Sequence, residues 1–423
     1  MDHVFELLPG GLRLACAPMS HMESVAVGFW TGVGGRHEPE AVCGISHFIE
    51  HMLFKGTRRR TAMQISAAVD GIGGYLNAFT GEESTCYYAK ASWRHLDTLL
   101  DVLADMYRNP RMAVAEIDKE RQVIKEELLA YRDAPDQHVH ELLIETLWPG
   151  HPLGRLLTGT EESLAAIDRA GMLDYKQRHY TASNTVVTVA GPVNHDEVRV
   201  KLLKRLHLPP GKGRPVAEPV SHRQTCAQVR TVTRPIEQTH LAVGVRGVSR
   251  HDPRRYALRL LSVILGETMS SRLFQVVRER HGLAYAIQSS TTFFDDTGAL
   301  AVSAGIDTRR MERAASLILR EMTRMTERPP SEAELRRAKD YTVGQMLLGL
   351  ENTTSRMTWL GEHLLAFGKV VTAEVVMQHV EAVTAVDVRN VASELFADNR
   401  LNVAIIGPRP VSAAMIGAMR FGS

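Results

Sequence analysis

The run His47-Phe48-Ile49-Glu50-His51 places two imidazoles four residues apart with a carboxylate between them. On an α-helix, residues four apart lie on one face, so His47 and His51 project together. At about 100° per residue, Glu50 falls about 60° to one side, and the three polar groups fit an arc of about 100°. Phe48, Ile49, Met52 and Leu53 take the rest of the circumference and can bury the helix. Two neutral imidazoles at this spacing can bind one zinc ion, and Glu50 sits where it can accept a proton from water held by that ion. A catalytic zinc also needs a third protein ligand and an open fourth position. The helical segment 116–131 offers Glu116, Glu120, Glu126 and Glu127, and residue type alone does not choose among them. Acids spread along a helix more often form a solvated face.

The elements that must carry these residues follow from apolar spacing. Residues 12–16 and 24–29 alternate or run apolar as strands do, and 75–89, rich in Tyr, Phe and Thr, also reads as strand. Leu96, Leu99, Leu100, Leu103 and Met106 recur at helical spacing, as do Ile117, Val123, Ile124, Leu128 and Leu129. The segment 208–219 holds Pro209, Pro210, Gly211, Gly213, Pro215 and Pro219, and reads as an interdomain linker. It splits the chain into two near-equal halves that echo each other. Val25-Ala26-Val27-Gly28, leading to Arg36-His37-Glu38-Pro39, returns 216 residues on as Leu241-Ala242-Val243-Gly244, leading to Arg250-His251-Asp252-Pro253. Ala115-Glu116-Ile117 returns 218 residues on as Ala333-Glu334-Leu335. The expected fold is α+β: two homologous domains, 1–208 and 221–423, joined by linker 209–220, each a mainly antiparallel sheet with helices packed on one face. At an offset of 218, His47 to His51 fall on Leu265 to Met269, Glu120 on Ala338 and Glu127 on Gln345. The second half lacks a complete metal set, so it is expected to serve substrate binding or structure.

Composition narrows the remaining classes. The 423 residues are 44% hydrophobic and 23% charged, ordinary for a globular chain with full-sized cores. Fifty basic and 48 acidic side chains leave a net charge of +2 without a broad basic surface, so no nucleic-acid partner is expected. No run of about 18 apolar residues suggests a membrane span. Met1 to Glu6 lacks a cationic leader, which reads as cytoplasmic, or as an organellar form already trimmed. Cys16, Cys43, Cys86 and Cys226 are scattered and read as buried apolar residues in a reducing compartment.

The stretch from Gly44-Ile45-Ser46-His47 through Phe54-Lys55-Gly56-Thr57 resembles the zinc-helix signature of the pitrilysin, insulin-degrading enzyme and mitochondrial processing peptidase family, whose motif order is that of the inverted zincins. That family's third ligand is a Glu about 76 residues beyond the second His, with another acidic residue seven positions before it. The resemblance therefore implies zinc ligands His47, His51 and Glu127, one Zn2+ per chain, Glu50 as general base and Glu120 as an auxiliary carboxylate. Gly74-Tyr75-Leu76-Asn77-Ala78-Phe79-Thr80 is similar to the family's substrate-binding edge strand, which implies that Asn77, Ala78 and Phe79 line an extended peptide. Ser271 to Gln275, leading to Arg278, Gly282 and Tyr285, matches the block whose Arg and Tyr hold the substrate carbonyl and its oxyanion. An Arg at a helix C-terminus and a Tyr opening a strand are the commoner reading of those two residues in general. His151-Pro152-Leu153-Gly154-Arg155 and Tyr180 extend the match over essentially the whole chain.

The implied activity is zinc-dependent endopeptidase action on short or unfolded peptides. Larger relatives close four such domains around a chamber, so one chain implies a dimer, with itself or with a degenerate homologous subunit. The presence of both the zinc set and the Arg278/Tyr285 pair favours the homodimer. Two rivals are a non-catalytic binding subunit, which would be expected to lose ligands, and a structural-zinc protein, which would want a fourth ligand in place of Glu50.

Overall fold

The computed structural model describes residues 3–221 and 223–421. The chain divides into two units, each assembled from more than one stretch of sequence. Unit 1 takes residues 1–129, 155–218 and 347–373, and unit 2 takes 130–154, 219–346 and 374–423.

Unit 1 is built on a sheet of β1 (Val4–Leu7), β2 (Arg13–Pro18), β3 (Ser24–Thr31), β4 (Tyr75–Thr80), β5 (Thr85–Ser92) and β6 (Thr185–Gly191), in the order β1-β2-β6-β3-β5-β4. Only β2 and β6 pair in parallel; the other neighbours are antiparallel. The apolar stretch 75–89 is thus two strands rather than one. The Gly81 N–H closes a turn onto the Ser84 carbonyl at 2.8 Å, which folds β5 back on β4 and leaves β4 as the sheet edge.

Unit 2 repeats the plan with β7 (Gln228–Thr233), β8 (Gln238–Gly247), β9 (Ala284–Phe293), β10 (Gly298–Asp307) and β11 (Asn402–Gly407), in the order β7-β11-β8-β10-β9. Again one pair, β7 and β11, is parallel, and β9 holds the edge position that β4 holds in unit 1. Each unit is therefore α+β with a mixed, mainly antiparallel sheet.

Alternation along β3 shows where the cores lie. Val25, Val27 and Phe29 enter a core with Phe48, Ile49, Leu99 and Leu103 from helices Ile45–Leu53 and Leu96–Arg108. Ala26 and Trp30 face the other way and meet Met357, Leu360 and Leu364 of helix Thr353–Phe367. That helix comes from the second half of the sequence, and it settles closely because two contact residues are glycines. A Cβ on Gly28 would lie 2.2 Å from Met357 Sδ, and one on Gly361 would lie 2.1 Å from Trp30 Cε2. In return, helix Pro135–Leu147 from the first half packs Val139, Leu143 and Leu147 against Ala242, Ala404 and Ile406 in unit 2.

The helices of each half thus cover one sheet face, and a single helix contributed by the other half covers the opposite face. The boundary at 209–220 describes where the main chain passes from one sheet to the next. It does not describe the packing, because residues 130–154 and 347–373 each bury their apolar face in the other half's unit. Cys16, Cys43 and Cys86 are buried as expected, whereas Cys226 is exposed just before β7.

Candidate metal centre

The helix carrying His47 and His51, here α1 (Ile45–Leu53), is anchored by its apolar side. Phe48, Ile49, Met52 and Leu53 are at most 1% exposed. Its entry needs a left-handed residue: Gly44 sits at φ +92°, and a Cβ there would come within 2.8 Å of the Thr158 carbonyl. Its partner is helix Val114–Asp133. Arg121 on that helix lays its guanidinium over the Phe48 ring at 5.5 Å and donates to the Ile167 carbonyl at 3.0 Å, fixing the two helices in register.

That register selects the third candidate ligand from the four acids of 116–131. Glu127 Oε2 lies 3.7 Å from His47 Nε2 and 3.7 Å from His51 Nε2. Among the described residues these three form the only set of His, Cys, Asp or Glu side chains placed to share a metal ion. Separations of 3.7 Å are too long for hydrogen bonds but close to the edge of a tetrahedron whose ligands stand about 2.0–2.2 Å from zinc. The donor chemistry agrees. Burial, with His51 adding to it, pushes the His47 imidazole down to about 4, so the ring is neutral and its lone pair is free at neutral pH. His51 Nδ1 lies 2.9 Å from Glu120 Oε1; a proton on Nδ1, assigned from that acceptor, leaves Nε2 as the free lone pair. Lys55 Nζ completes the chain, 2.7 Å from the other Glu120 oxygen. Among the described residues His47 Nδ1 has no such acceptor and is buried without a partner. Glu127 is the most open of the three, 31% exposed, which leaves one side of the site accessible. Two histidines, one carboxylate and an open side fit a catalytic rather than a closed zinc site.

Glu50 stands beside this set, largely buried, and burial raises its carboxyl above the ordinary range. The hydroxyl of Thr80 donates to it and partly opposes that rise. Thr80 is the last residue of β4, so the edge strand and the proposed base are directly linked. Sequence reasoning placed Thr80 in the strand but gave it no part in the chemistry; its even position relative to Leu76 and Ala78 was the available signal. Alternation also sorts the expected peptide-binding residues. Ala78 shares the face of Leu76 and packs toward the core of α1. Phe79 points to the other face, where its ring meets Trp30 at 5.5 Å and Tyr88 at 6.2 Å. The Asn77 amide donates to Tyr75 Oη at 2.6 Å, and its oxygen accepts the Ala78 N–H at 2.8 Å. What β4 presents on the side of α1 is therefore its backbone with Ala78 and Thr80, not the side chains of Asn77 and Phe79.

Arg278 and Tyr285 lie in unit 2 and are brought together there. The Arg278 guanidinium sits 5.6 Å from the Tyr285 ring and 4.6 Å from that of Phe274. Arg278 belongs to the π-helical turn Phe274–Arg280, and Tyr285 is the second residue of β9. The pairing of β9 with β10 skips Tyr285: Ala286 opposes Gly305 and Ala284 opposes Ile306. This bulge breaks the alternation and turns the ring out, so that Tyr285 is 81% exposed. At the positions of unit 2 equivalent to His47, Glu120 and His51, Leu265 and Ala338 are buried apolar residues and Met269 is exposed. Glu267 is tied to Arg259 and accepts from the Ser262 hydroxyl at 2.6 Å.

The insulinase (peptidase family M16) domain matches residues 15–161, and the peptidase M16 inactive domain matches 166–341. An uncharacterized zinc protease of Mycobacterium leprae is 38% identical over 407 residues, covering 95% of this chain and 91% of the relative. The chain belongs to peptidase family M16. Another M16 relative, an uncharacterized zinc protease of Bacillus subtilis, is 36% identical over 399 residues, covering 94% of this chain and 96% of its own. The M16 fold recurs in the crystal structure of a protease from Helicobacter pylori, with a TM-score of 0.89 at 23% identity, covering 96% of this chain and 99% of that one. Among the described residues no helix is long and apolar enough to cross a membrane.

Proposed function

We propose that the protein is a zinc-dependent endopeptidase that hydrolyses short or unfolded peptides. The observation that carries this reading is the convergence of His47 Nε2, His51 Nε2 and Glu127 Oε2 beside a buried Glu50 that is bonded to an edge strand. His47, His51 and Glu127 would hold the ion. When bound, zinc supplies Lewis acidity, polarising a carbonyl and lowering the pKa of water it holds toward about 7. Glu50 accepts the proton released as the scissile carbonyl is attacked, holds it on its carboxylate and delivers it to the leaving amine. A carboxyl raised by burial suits both duties, being basic enough to take the proton and acidic enough to return it. Glu120 holds His51 in the ligand tautomer.

Substrate binding is assigned to the edge of β4 around Asn77, Ala78 and Phe79, where an extended peptide would add as a further strand. Recognition through the backbone favours unfolded segments over particular sequences. Arg278 is assigned to hold a substrate carbonyl, and Tyr285 to donate to the oxyanion; loss of one such donor typically costs about 100- to 1,000-fold in kcat. Residues 1–208 form the catalytic domain in this reading, and 221–423 the degenerate repeat. Because one chain carries both the ligand set and the Arg278/Tyr285 pair, a homodimer is the favoured assembly over pairing with a degenerate subunit. Cysteines unpaired among the described residues fit a reducing, cytoplasmic setting.

The test is incubation of the purified protein with an unfolded peptide library, with and without a chelator, beside Glu50→Gln. Cleavage abolished by the chelator and by the substitution, with zinc retained in the variant, is the expected result. Undiminished turnover by Glu50→Gln would refute the assigned base.

A further inference from the structure

We propose that Glu38 is a positioning residue for the metal helix: its carboxylate, buried at the N-terminus of α1, aims His47, Glu50 and His51, and does so in the ionised form. This rests on the zinc-peptidase reading, since the side chains it positions are that reading's ligands and base.

An α-helix begins with N–H groups that have no partner within it. The residue preceding α1 is Gly44, which has no side chain to cap them. Glu38, six residues upstream and 4% exposed, does so instead. One carboxylate oxygen accepts the Gly44 N–H at 2.6 Å, and the other accepts the Ser46 N–H at 2.8 Å. Ser46 is the residue immediately before the first ligand. The same turn is held from two further sides: Ser46 Oγ lies 3.0 Å from the Tyr175 hydroxyl, and the Ser163 hydroxyl donates to the Cys43 carbonyl at 2.7 Å. A carboxylate that engages both oxygens fixes the rotation of the helix about its axis as well as its end. That rotation decides whether His47 and His51 face Glu127.

The charge state follows from the surroundings. Arg155 is the cation that bears on Glu38, but its guanidinium donates to the Glu38 backbone carbonyl at 3.3 Å and to the Glu40 carboxylate at 3.3 Å. Tyr175 and Cys43, the other titratable groups nearby, are neutral, burial holding the thiol up at about 12 and the phenol higher still. Burial therefore outweighs the hydrogen bonds and the Arg155 charge, and raises Glu38 to about 7. A protonated carboxyl would turn one of its two acceptors into a donor facing an N–H. The second half supplies an internal contrast. Asp252, in the echoed Arg-His-Asp-Pro run, also precedes a helix, but it is paired with the Arg254 guanidinium, which holds it below its ordinary value. The buried, weakly compensated acid occurs under the helix that bears the ligands, and a solvent-facing ion pair occurs under the helix that does not.

The two consequences run in opposite directions with pH. A carboxyl raised above its unfolded value of 4.5 to about 7 contributes stability at low pH that is lost as pH rises through 7. Its hold on the helix, which needs the ionised form, strengthens over the same interval. A residue that merely stabilised the fold would move stability and zinc affinity together.

The experiment compares zinc affinity by chelator competition at pH 6 and pH 8 for the wild type and Glu38→Gln, with thermal unfolding of both metal-free proteins. The expected ratio of dissociation constants, variant over wild type, is about 10 at pH 8 and under about 3 at pH 6; titration of the histidines cancels in the ratio. The unfolding temperature of the wild type relative to the variant should fall as pH rises. Should Glu38→Gln not fold, hydrogen exchange of residues 44–48 in the wild type replaces it. Protection, corrected for intrinsic rates, should drop between pH 8 and pH 6. A ratio near one at pH 8, an equal ratio at both pH values, or pH-independent protection would overturn the proposal. Absence of zinc binding by the wild type at both pH values would overturn the zinc reading itself.

Discussion

The chain of contacts behind His51 allows its contribution to be worked out before it is measured. His51 Nδ1 is 2.9 Å from Glu120 Oε1, and Glu120 Oε2 is 2.7 Å from Lys55 Nζ. The Glu120 side chain is 6% exposed and that of Lys55 31%. Glu120→Gln keeps an acceptor oxygen for His51 and removes the charge. A hydrogen bond to a charged group is worth about 1.5–3 kcal/mol and a neutral one about 0.5–1.5, so the change costs about 1–1.5 kcal/mol, or about 5- to 12-fold in zinc affinity. Glu120→Ala removes the acceptor altogether and belongs in the range of about 10- to 100-fold seen for lost partners of ligating histidines. Lys55→Met takes away a partly solvated cation two hydrogen bonds from His51, and about threefold is expected once solvent screening is allowed for. Chelator competition at pH 7.5 measures all three, and the double variant Lys55→Met/Glu120→Gln should cost less than the sum of its parts, because Lys55 acts only through Glu120. Wild-type affinity in Glu120→Gln, or a larger loss in Lys55→Met than in Glu120→Gln, would refute the relay.

Three further outcomes follow from the same geometry. Removing zinc with a chelator should abolish hydrolysis while leaving the far-UV circular dichroism unchanged, because α1 is held by Phe48, Ile49, Met52 and Leu53 rather than by the metal; cooperative loss of helix would contradict this. Thr80→Val removes a bond that lowers the Glu50 carboxyl, so the acid limb of kcat should move to higher pH with zinc content unchanged. The sign is fixed because Glu50 must be ionised to accept a proton, and a shift toward lower pH would rule out its role as base. Gly361→Val drives a side chain into Trp30 and should cost about 1–3 kcal/mol, read as a lower unfolding temperature; an unchanged value would show that helix Thr353–Phe367 does not sit as described.

What could be read from sequence was what depends on one helix or one strand at a time. Two histidines and a glutamate within five residues define a face wherever the helix lies, and the spacing of Leu96, Leu99 and Leu103 gives a helix whatever it packs on. The resemblance to a known family singled out Glu127, but choosing it over Glu116, Glu120 and Glu126 on physical grounds needs the relative rotation of two helices. That rotation is set by Arg121 reaching Phe48 and the Ile167 carbonyl, contacts that no local pattern encodes. The exchange of helices between halves was invisible for a related reason. Met357, Leu360 and Leu364 show that helix Thr353–Phe367 has an apolar face, but an apolar face does not name the sheet it covers. The outward turn of Tyr285 depends on a one-residue slip against β10, and Glu38 acts through a charge buried without a dedicated cation. Both cost stability locally, and local preference predicts against them.

The contrast between the two halves shows what the metal centre requires beyond its ligands. Both units place an edge strand, a helix and a long second helix in equivalent positions, so the frame alone does not make a site. In unit 2 Glu267 is paired with Arg259 and bonded to Ser262, and Leu265 and Ala338 hold the positions of His47 and Glu120 with apolar groups that pay no desolvation cost. In unit 1 the equivalent volume holds His47, Glu50, His51, Glu120 and Glu127, with Lys55 as the cation bonded among them. The charge on Glu127 repels that on Glu50, while the Lys55 ammonium is bonded to Glu120. A divalent cation between Glu127 and the histidines would offset that repulsion. Unit 1 is thus an arrangement whose electrostatics are completed by a bound metal, whereas unit 2 is complete as it stands.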